Sequence, residues 1–217
     1  MTTLSQTDTT TRLLYFFDPL CGWCYGFSPV IRSLATQQDT LPVEVVCGGM
    51  ITGEREGPLG KQMADYILGV VPRLEGMTGV KFGEKYLDMI RDGSHYNSSV
   101  KPSVAVVIMK ELHPENALLF AADFQKISFS EGFDFNEDST YRELASRYAL
   151  DADDFMHRMG DAQYRAKAEA EFDLTKRFGV SGFPCVVARH KEQYFMVSSG
   201  YTSEEELKAT LQRILTE

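Results

Sequence analysis

Two cysteines at the junction of a predicted strand and a predicted helix constrain the fold of this chain more than any other feature. Cys21 and Cys24 are separated by Gly22 and Trp23, and they follow the apolar run LLYFF at residues 13–17. A continuous apolar run of this length predicts a strand that is buried on both faces of a sheet. The cysteine pair is therefore expected just beyond the end of a central strand.

The segment after the cysteines predicts a β-α-β unit. Apolar residues recur at helical spacing from Trp23 to Leu34, and Pro29 is expected to kink this helix or to mark its restart. VEVVC, at residues 43–47, then predicts a second strand. Two strands joined through a helix should be parallel, with a right-handed crossover.

The remainder of the chain predicts a long helical region followed by a hairpin and a last helix. Apolar stripes at helical spacing run from about residue 58 to 178, and CVVA (185–188) and YFMV (194–197) predict antiparallel strands. Ser203 and Glu206 form a capping-box pattern before the last helix. The predicted organisation is a mobile tail at 1–11, an α/β domain at 12–57 and 179–217, and a helical insertion at 58–178.

Charge and hydropathy exclude several classes of function. The 217 residues include 31 acidic and 22 basic side chains, and the net charge of −9 gives no general attraction to nucleic acid or anionic lipid. No segment approaches the roughly 18 apolar residues of a membrane-spanning helix, and the N-terminus does not have the pattern of a signal sequence. We therefore expect a cytoplasmic protein without membrane or nucleic-acid partners.

The cysteine pair could ligate a metal, form a disulfide or fill the core. A zinc site needs further ligands, and the four histidines form no cluster at short spacing. Cys47 and Cys185 could complete a four-thiolate site if the fold brought all the sulfurs together. A C-x-x-C pair beside a strand-helix pattern favours redox chemistry over both alternatives.

The position of Cys21 suggests how such a pair would act. At the start of a helix, unpaired N–H groups and the positive end of the macrodipole favour an anion, and a thiolate is one. Cys24 lies one turn further into the helix, close enough to attack a mixed disulfide formed on Cys21. We expect Cys21 to be the nucleophile and Cys24 the more buried, resolving thiol.

A second informative stretch is GVSGFPCVV, at residues 179–187. An X-Pro bond can be cis at a cost of about 0.5 to 1 kcal/mol, and Phe183–Pro184 directly precedes a predicted strand. A cis bond there would leave the backbone of Phe183 available to a substrate strand. Taken alone, the motif more commonly marks a turn-forming proline.

Together these motifs resemble a known family. C-G-W-C, the β-α-β then β-β-α order and G-V-S-G-F-P resemble the thioredoxin fold, and FDPLCGWCYGF, CGGMITG and the large all-helical insertion resemble the FrnE-like cytosolic branch of the DsbA family. The resemblance covers residues 12–216. It implies a thiol-disulfide oxidoreductase or isomerase without metal or cofactor. Its partners would be protein or small-molecule thiols and disulfides, with glutathione among the candidates.

The resemblance also assigns residues. It implies that Cys21 attacks, that Cys24 resolves, and that Pro184 is a cis-proline facing them, with Trp23 and Phe183 contacting the substrate.

Two departures from the family pattern stand out. Thioredoxin and DsbA carry an acidic residue six places before the first cysteine, whereas this chain has Tyr15 there. Asp18 could take over proton transfer or only cap the first helix, and the cap is the favoured interpretation. The Gly-Trp dipeptide lacks the histidine of DsbA, so extreme thiolate stabilisation is not implied.

Two other functions stay open on the sequence. Kappa-type glutathione transferases share the inserted architecture, although they lack the second cysteine that Cys24 supplies. A chaperone-like protein could hold clients on Met63, Tyr66 and Met77, but their helical spacing favours the core. The same preference for the core applies to Cys185.

Overall fold

The computed structural model describes residues 11–37 and 41–216. Apart from Thr11, the predicted mobile tail lies outside these residues. The strands are β1 (Arg12–Phe17), β2 (Val43–Cys47), β3 (Gly57–Pro58), β4 (Tyr96–Asn97), β5 (Cys185–His190) and β6 (Gln193–Ser199). The α-helices are α1 (Gly22–Gln37), α2 (Gly60–Thr78), α3 (Glu84–Asp92), α4 (Val100–Leu112), α5 (Ala117–Phe129), α6 (Asp138–Arg147), α7 (Ala152–Met159), α8 (Ala162–Arg177) and α9 (Glu204–Thr216).

Four of the strands form a mixed sheet in the order β2-β1-β5-β6. Strands β1 and β2 are parallel, whereas β5 is antiparallel to both β1 and β6. The predicted parallel pair and the predicted hairpin are therefore confirmed. Strands β3 and β4 form a separate two-stranded sheet.

Strand β1 is central because it is apolar on both faces. Leu13, Tyr15 and Phe17 point into the main core, and Leu14 and Phe16 point into a smaller cluster on the other face. Because both faces of the strand are apolar, both are buried only when the strand lies inside the sheet. The loop after Phe17 is thereby fixed at the carboxyl end of a buried strand.

Helix α1 continues through Pro29, where the sequence predicts a kink or a restart. A proline has no N–H to give to the carbonyl four residues earlier, which here belongs to Tyr25. The Ser28 hydroxyl donates to that carbonyl at 2.9 Å. A local side chain therefore satisfies the acceptor that the proline leaves free.

The helices between β2 and β5 pack directly on the edge strand β2. Lys110 of α4 donates to the carbonyl of Val45 at 2.5 Å and pairs with Glu171 of α8 at 2.5 Å. Glu171 in turn accepts the N–H of Cys47 at 2.8 Å. These side chains form hydrogen bonds with backbone groups on the edge of β2 that faces away from β1.

The main core cluster extends over both predicted domains. It contains Phe17 and Phe27 from the strand-rich part together with Phe120 and Phe124 from α5. Helix α9 packs on the sheet. Its predicted capping box is formed, because the Glu206 carboxylate accepts the N–H of Ser203 and the Ser203 hydroxyl accepts the N–H of Glu206. The proposed domain division at residues 58 and 178 stays a prediction.

Candidate functional site

Cys21 lies immediately before α1, at the carboxyl end of β1. Its own N–H donates to the carbonyl of Asp18 at 3.0 Å, which closes the turn between strand and helix. Its sulfur accepts the N–H of Cys24 at 3.3 Å. The Cys21 sulfur is therefore hydrogen-bonded to an amide in the first turn of α1.

The Phe183–Pro184 peptide is cis, as the sequence predicts, and it faces the cysteines. The Cys21 thiol donates to the carbonyl of Phe183 at 3.5 Å. The Phe183 ring packs against Gly48, where an added Cβ would lie 2.2 Å from ring atoms. A side chain at position 48 would therefore displace the residue whose carbonyl meets Cys21.

The two thiols differ in exposure, and Cys21 is the more accessible of the two. Cys21 is 6% exposed, whereas Cys24 is fully buried in the main core. Burial, and then the neighbouring Cys21 sulfur, raise the pKa of Cys24 well above its usual range. Ionising Cys24 therefore requires a group that takes its proton.

Asp18 is a fully buried carboxylate in the turn before α1. It accepts the N–H of Leu20 at 3.0 Å, the N–H of Met50 at 2.7 Å and the hydroxyl of Ser99 at 2.9 Å. These donors lie outside α1, so the favoured interpretation of Asp18 as a helix cap is wrong. Burial raises the pKa of Asp18 to about 6, against the opposing effect of the hydrogen bonds.

Gln125 is a site residue that the sequence analysis missed. Its amide is buried, and it donates to the carbonyls of Asp18 at 3.0 Å and Cys21 at 3.2 Å. It thereby fixes the turn that carries Cys21. The signal was available, because Gln125 is a polar residue within the apolar stripe that Leu118, Ala122 and Phe129 form.

An apolar groove with a volume of about 360 Å³ opens beside Cys21. Trp23 and Phe183 line it next to the cysteine, and the described residues that line it carry no charged side chain. Much of its lining comes from Leu59, just before α2, and from six residues of α2, namely Met63, Tyr66, Ile67, Val70, Val71 and Leu74. A larger cavity of about 520 Å³ elsewhere is lined in part by charged side chains and contains neither cysteine.

The side chains on α2 correct one prediction. Helical spacing favours a core position for Met63, Tyr66 and Met77, but they are 48%, 64% and 49% exposed. Met63 and Tyr66 line the groove instead. The difference arises because α2 packs through Ala64, Val71 and Leu74.

The other two cysteines do not join the pair. Cys47 is buried at the end of β2, and Cys185 lies in the cluster on the opposite face of the sheet, with its sulfur 3.5 Å from the Met196 sulfur. All four cysteines are thiols. Within residues 11–37 and 41–216, no group of three or more His, Cys, Asp or Glu side chains is placed to hold a metal ion.

The helices formed by the described residues include none that is long and apolar enough to cross a membrane.

Solved structures of similar fold include two disulfide-related proteins. The cytosolic disulfide reductase DsbM from Pseudomonas aeruginosa is 28% identical, with a TM-score of 0.77 and coverage of 94% of this chain and 98% of DsbM. The same protein solved with GSH gives a TM-score of 0.75, covering 95% of this chain and 100% of that one. A candidate protein disulfide isomerase from Nitrosomonas europaea is 24% identical, with a TM-score of 0.84 and coverage of 95% and 98%.

The chain was also compared with curated proteins and with family models. None of the curated proteins matches it. The model of the DSBA-like thioredoxin domain matches residues 12–212, which is nearly the whole chain. The chain therefore belongs to the DSBA-like thioredoxin domain family.

Proposed function

We propose that the protein is a thiol-disulfide oxidoreductase in which Cys21 attacks a substrate disulfide and Cys24 resolves the mixed disulfide. The observation that carries this proposal is the environment of the Cys21 sulfur. It receives the N–H of Cys24, meets the carbonyl of Phe183 and opens onto an apolar groove. A sulfur placed in this way would act, in its thiolate form, as the nucleophile of thiol-disulfide exchange.

The proposed reaction has two exchange steps. The Cys21 thiolate forms a bond to one substrate sulfur, and the substrate S–S bond breaks as the other sulfur leaves as a thiolate with the bonding electron pair. The Cys24 thiolate then attacks the Cys21 sulfur, and the second substrate sulfur leaves in the same way. The substrate is reduced by two electrons and the cysteine pair is oxidised to a disulfide.

Asp18 is the proposed acceptor of the Cys24 proton. It is buried beside the pair, and its negative charge is one of the factors that raise the pKa of Cys24. A carboxyl group with a pKa of about 6 is ionised at neutral pH and can act as a general base. This role replaces the helix cap that the sequence favoured.

The proposed substrates are disulfides flanked by apolar groups. The uncharged groove next to Cys21 is suited to an apolar peptide side chain, with Trp23 and Phe183 as the nearest contacts. The Pseudomonas relative solved with GSH supports glutathione as a further thiol partner, and its description as cytosolic supports a cytoplasmic location.

The Cys24→Ser variant tests the proposal. We expect it to accumulate covalent partners on Cys21, because the first exchange can occur and the second cannot. Mass spectrometry of the trapped adducts would identify the partners. Recovery of proteins with apolar residues next to the linked cysteine would support the proposed substrate class, whereas recovery of glutathione alone would favour a kappa-type transferase.

The Asp18→Asn variant tests the proton acceptor. In the wild type, the resolving step should speed up as the pH rises through about 6, because Asp18 must lose its proton before it can accept another. The variant should lack this rise and resolve about 10²-fold more slowly at neutral pH. The mixed disulfide is left to decay at pH values between 5 and 8, and samples are quenched with acid at successive times. The measurement is the lifetime of the mixed disulfide at each pH.

Ser99→Ala is the matched control for Asp18. It keeps the carboxylate but removes one hydrogen bond that lowers the pKa of Asp18. The rise in rate should therefore move to higher pH while the rate at pH 8 is retained. An Asp18→Asn variant that kept the wild-type profile would contradict the proposed role.

A further inference from the structure

The Tyr15 hydroxyl is a buried polar group without a hydrogen bond of regular geometry among the described residues. Tyr15 is 2% exposed, and its ring packs on Phe17 and Phe27 at centroid distances of 5.7 and 5.8 Å. The distances and angles at its hydroxyl meet those of a regular hydrogen bond with none of the residues that the structure describes. A buried hydroxyl left unbonded destabilises the folded state, so its presence calls for an explanation.

The thiols of the site are the neighbouring groups that raise the pKa of this hydroxyl. Burial raises the pKa of Tyr15 well above its usual range, and the charges of Cys24 and then Cys21, together with a side-chain contact between the hydroxyl and Cys24, add to that rise. The Tyr15 ring also packs on Phe27, which lies about one turn after Cys24 on α1. The negative charge of Asp18 also raises the pKa of Cys24. The phenol therefore keeps its proton at every working pH, and toward an ionised sulfur it can only donate.

We propose that Tyr15 is a positioning residue for the resolving step, in which its hydroxyl donates a hydrogen bond to the Cys24 sulfur once that sulfur is ionised. The inference rests on the proposed function, because it concerns the Cys24 thiolate that resolves the mixed disulfide. In the thiol state the hydroxyl contacts Cys24 but makes no hydrogen bond of regular geometry to the described residues, so a full hydrogen bond is gained as the thiolate forms. Such a contact favours the reactive state over the resting one.

Tyr15 and Asp18 then have separate roles. Asp18 takes the proton from Cys24, and the Tyr15 hydroxyl stabilises the negative charge left on the sulfur. The Cys24 sulfur next bonds to the Cys21 sulfur, and the substrate thiolate leaves with the electron pair of the bond that breaks. The hydroxyl retains its proton throughout.

The Tyr15→Phe variant removes only the hydroxyl oxygen. The probe is dithiobis(nitrobenzoate), a symmetrical aromatic disulfide that releases one coloured thiolate when Cys21 attacks and a second when Cys24 resolves. We expect the first release to keep its wild-type rate. The second should slow at least about tenfold across pH 6–8, as for a lost hydrogen bond to a charged group.

The pH profile separates this role from that of Asp18. The slower second release in Tyr15→Phe should still rise through about pH 6, since Asp18 is intact. A merely structural role would change both releases or leave both unchanged. A second release at the wild-type rate, or equal slowing of both releases, would overturn the inference.

Ser103→Ala is the matched control. The Ser103 hydroxyl is also buried without a hydrogen bond of regular geometry to the described residues, but the thiol that it contacts is Cys47. Its removal should leave both releases unchanged, and slowing of the second release would count against the inference. The Cys21→Ser variant supplies the baseline from the other thiols. If the wild type gave no rapid first release above that baseline, the proposed function itself would fail.

Discussion

The Cys21→Ser variant is expected to reduce the disulfides of insulin no faster than the added dithiol does alone. A serine hydroxyl is far less ionised than a thiol at neutral pH, and it cannot form a mixed disulfide. The loss should be complete because Cys24 is fully buried and cannot meet a substrate in place of Cys21. The measurement is the rate of insulin precipitation with and without the protein.

Cys185→Ser is the matched control for this loss. It makes the same substitution at another buried thiol, which lies on the opposite face of the sheet from Cys21. We expect it to keep both the insulin activity and the rate of Cys21 alkylation. Activity that survived Cys21→Ser would contradict the redox mechanism, and retained suppression of client aggregation in that variant would favour the chaperone-like alternative.

The Lys110→Met variant is expected to lower the free energy of unfolding by about 3 kcal/mol. It removes the cation that pairs with Glu171 and bonds the carbonyl of Val45, and it leaves the Glu171 charge partly buried without its counter-ion. The value is at the low end for a broken buried pair, since the two side chains are 20% and 17% exposed. Urea denaturation measures the change.

Two further variants test the cause of this loss. Lys61→Met breaks a pair with Asp65 in which the side chains are 87% and 60% exposed, and it should cost less than about 1 kcal/mol. Adding Glu171→Gln to Lys110→Met should recover part of the stability, because the unpaired charge is then removed. Equal losses in the two lysine variants would show that burial of the Lys110 pair is not what matters.

The strands could be predicted from sequence because their signal is local. Strand β2 has the predicted bounds, Val43–Cys47, and β1 begins one residue earlier than the predicted run. The continuation of α1 through Pro29 could not be predicted. It depends on the Ser28 hydroxyl, which donates to the Tyr25 carbonyl in place of the N–H that proline lacks. The exposure of Met63 and Tyr66 could not be predicted either, since spacing on one helix does not reveal which neighbours pack on it.

The arrangement of the candidate site was predictable only where the sequence contains a recognisable motif. Cys21, Cys24 and Pro184 come together as the two motifs suggest. Two of the partners of Asp18, Met50 and Ser99, come from loops far along the chain, so no local pattern could distinguish a cap from a buried carboxylate. Contacts of this kind depend on tertiary structure.

The bonds that Lys110 and Glu171 make to β2 have a consequence for self-assembly. An uncovered edge strand is a template on which a second molecule can add a strand. At β2 the outward carbonyl of Val45 and the N–H of Cys47 are already engaged, so strand addition is blocked there. The opposite edge is β6, where Tyr194 and Met196 are 55% and 53% exposed. Cross-molecule pairing under destabilising conditions should therefore begin at β6.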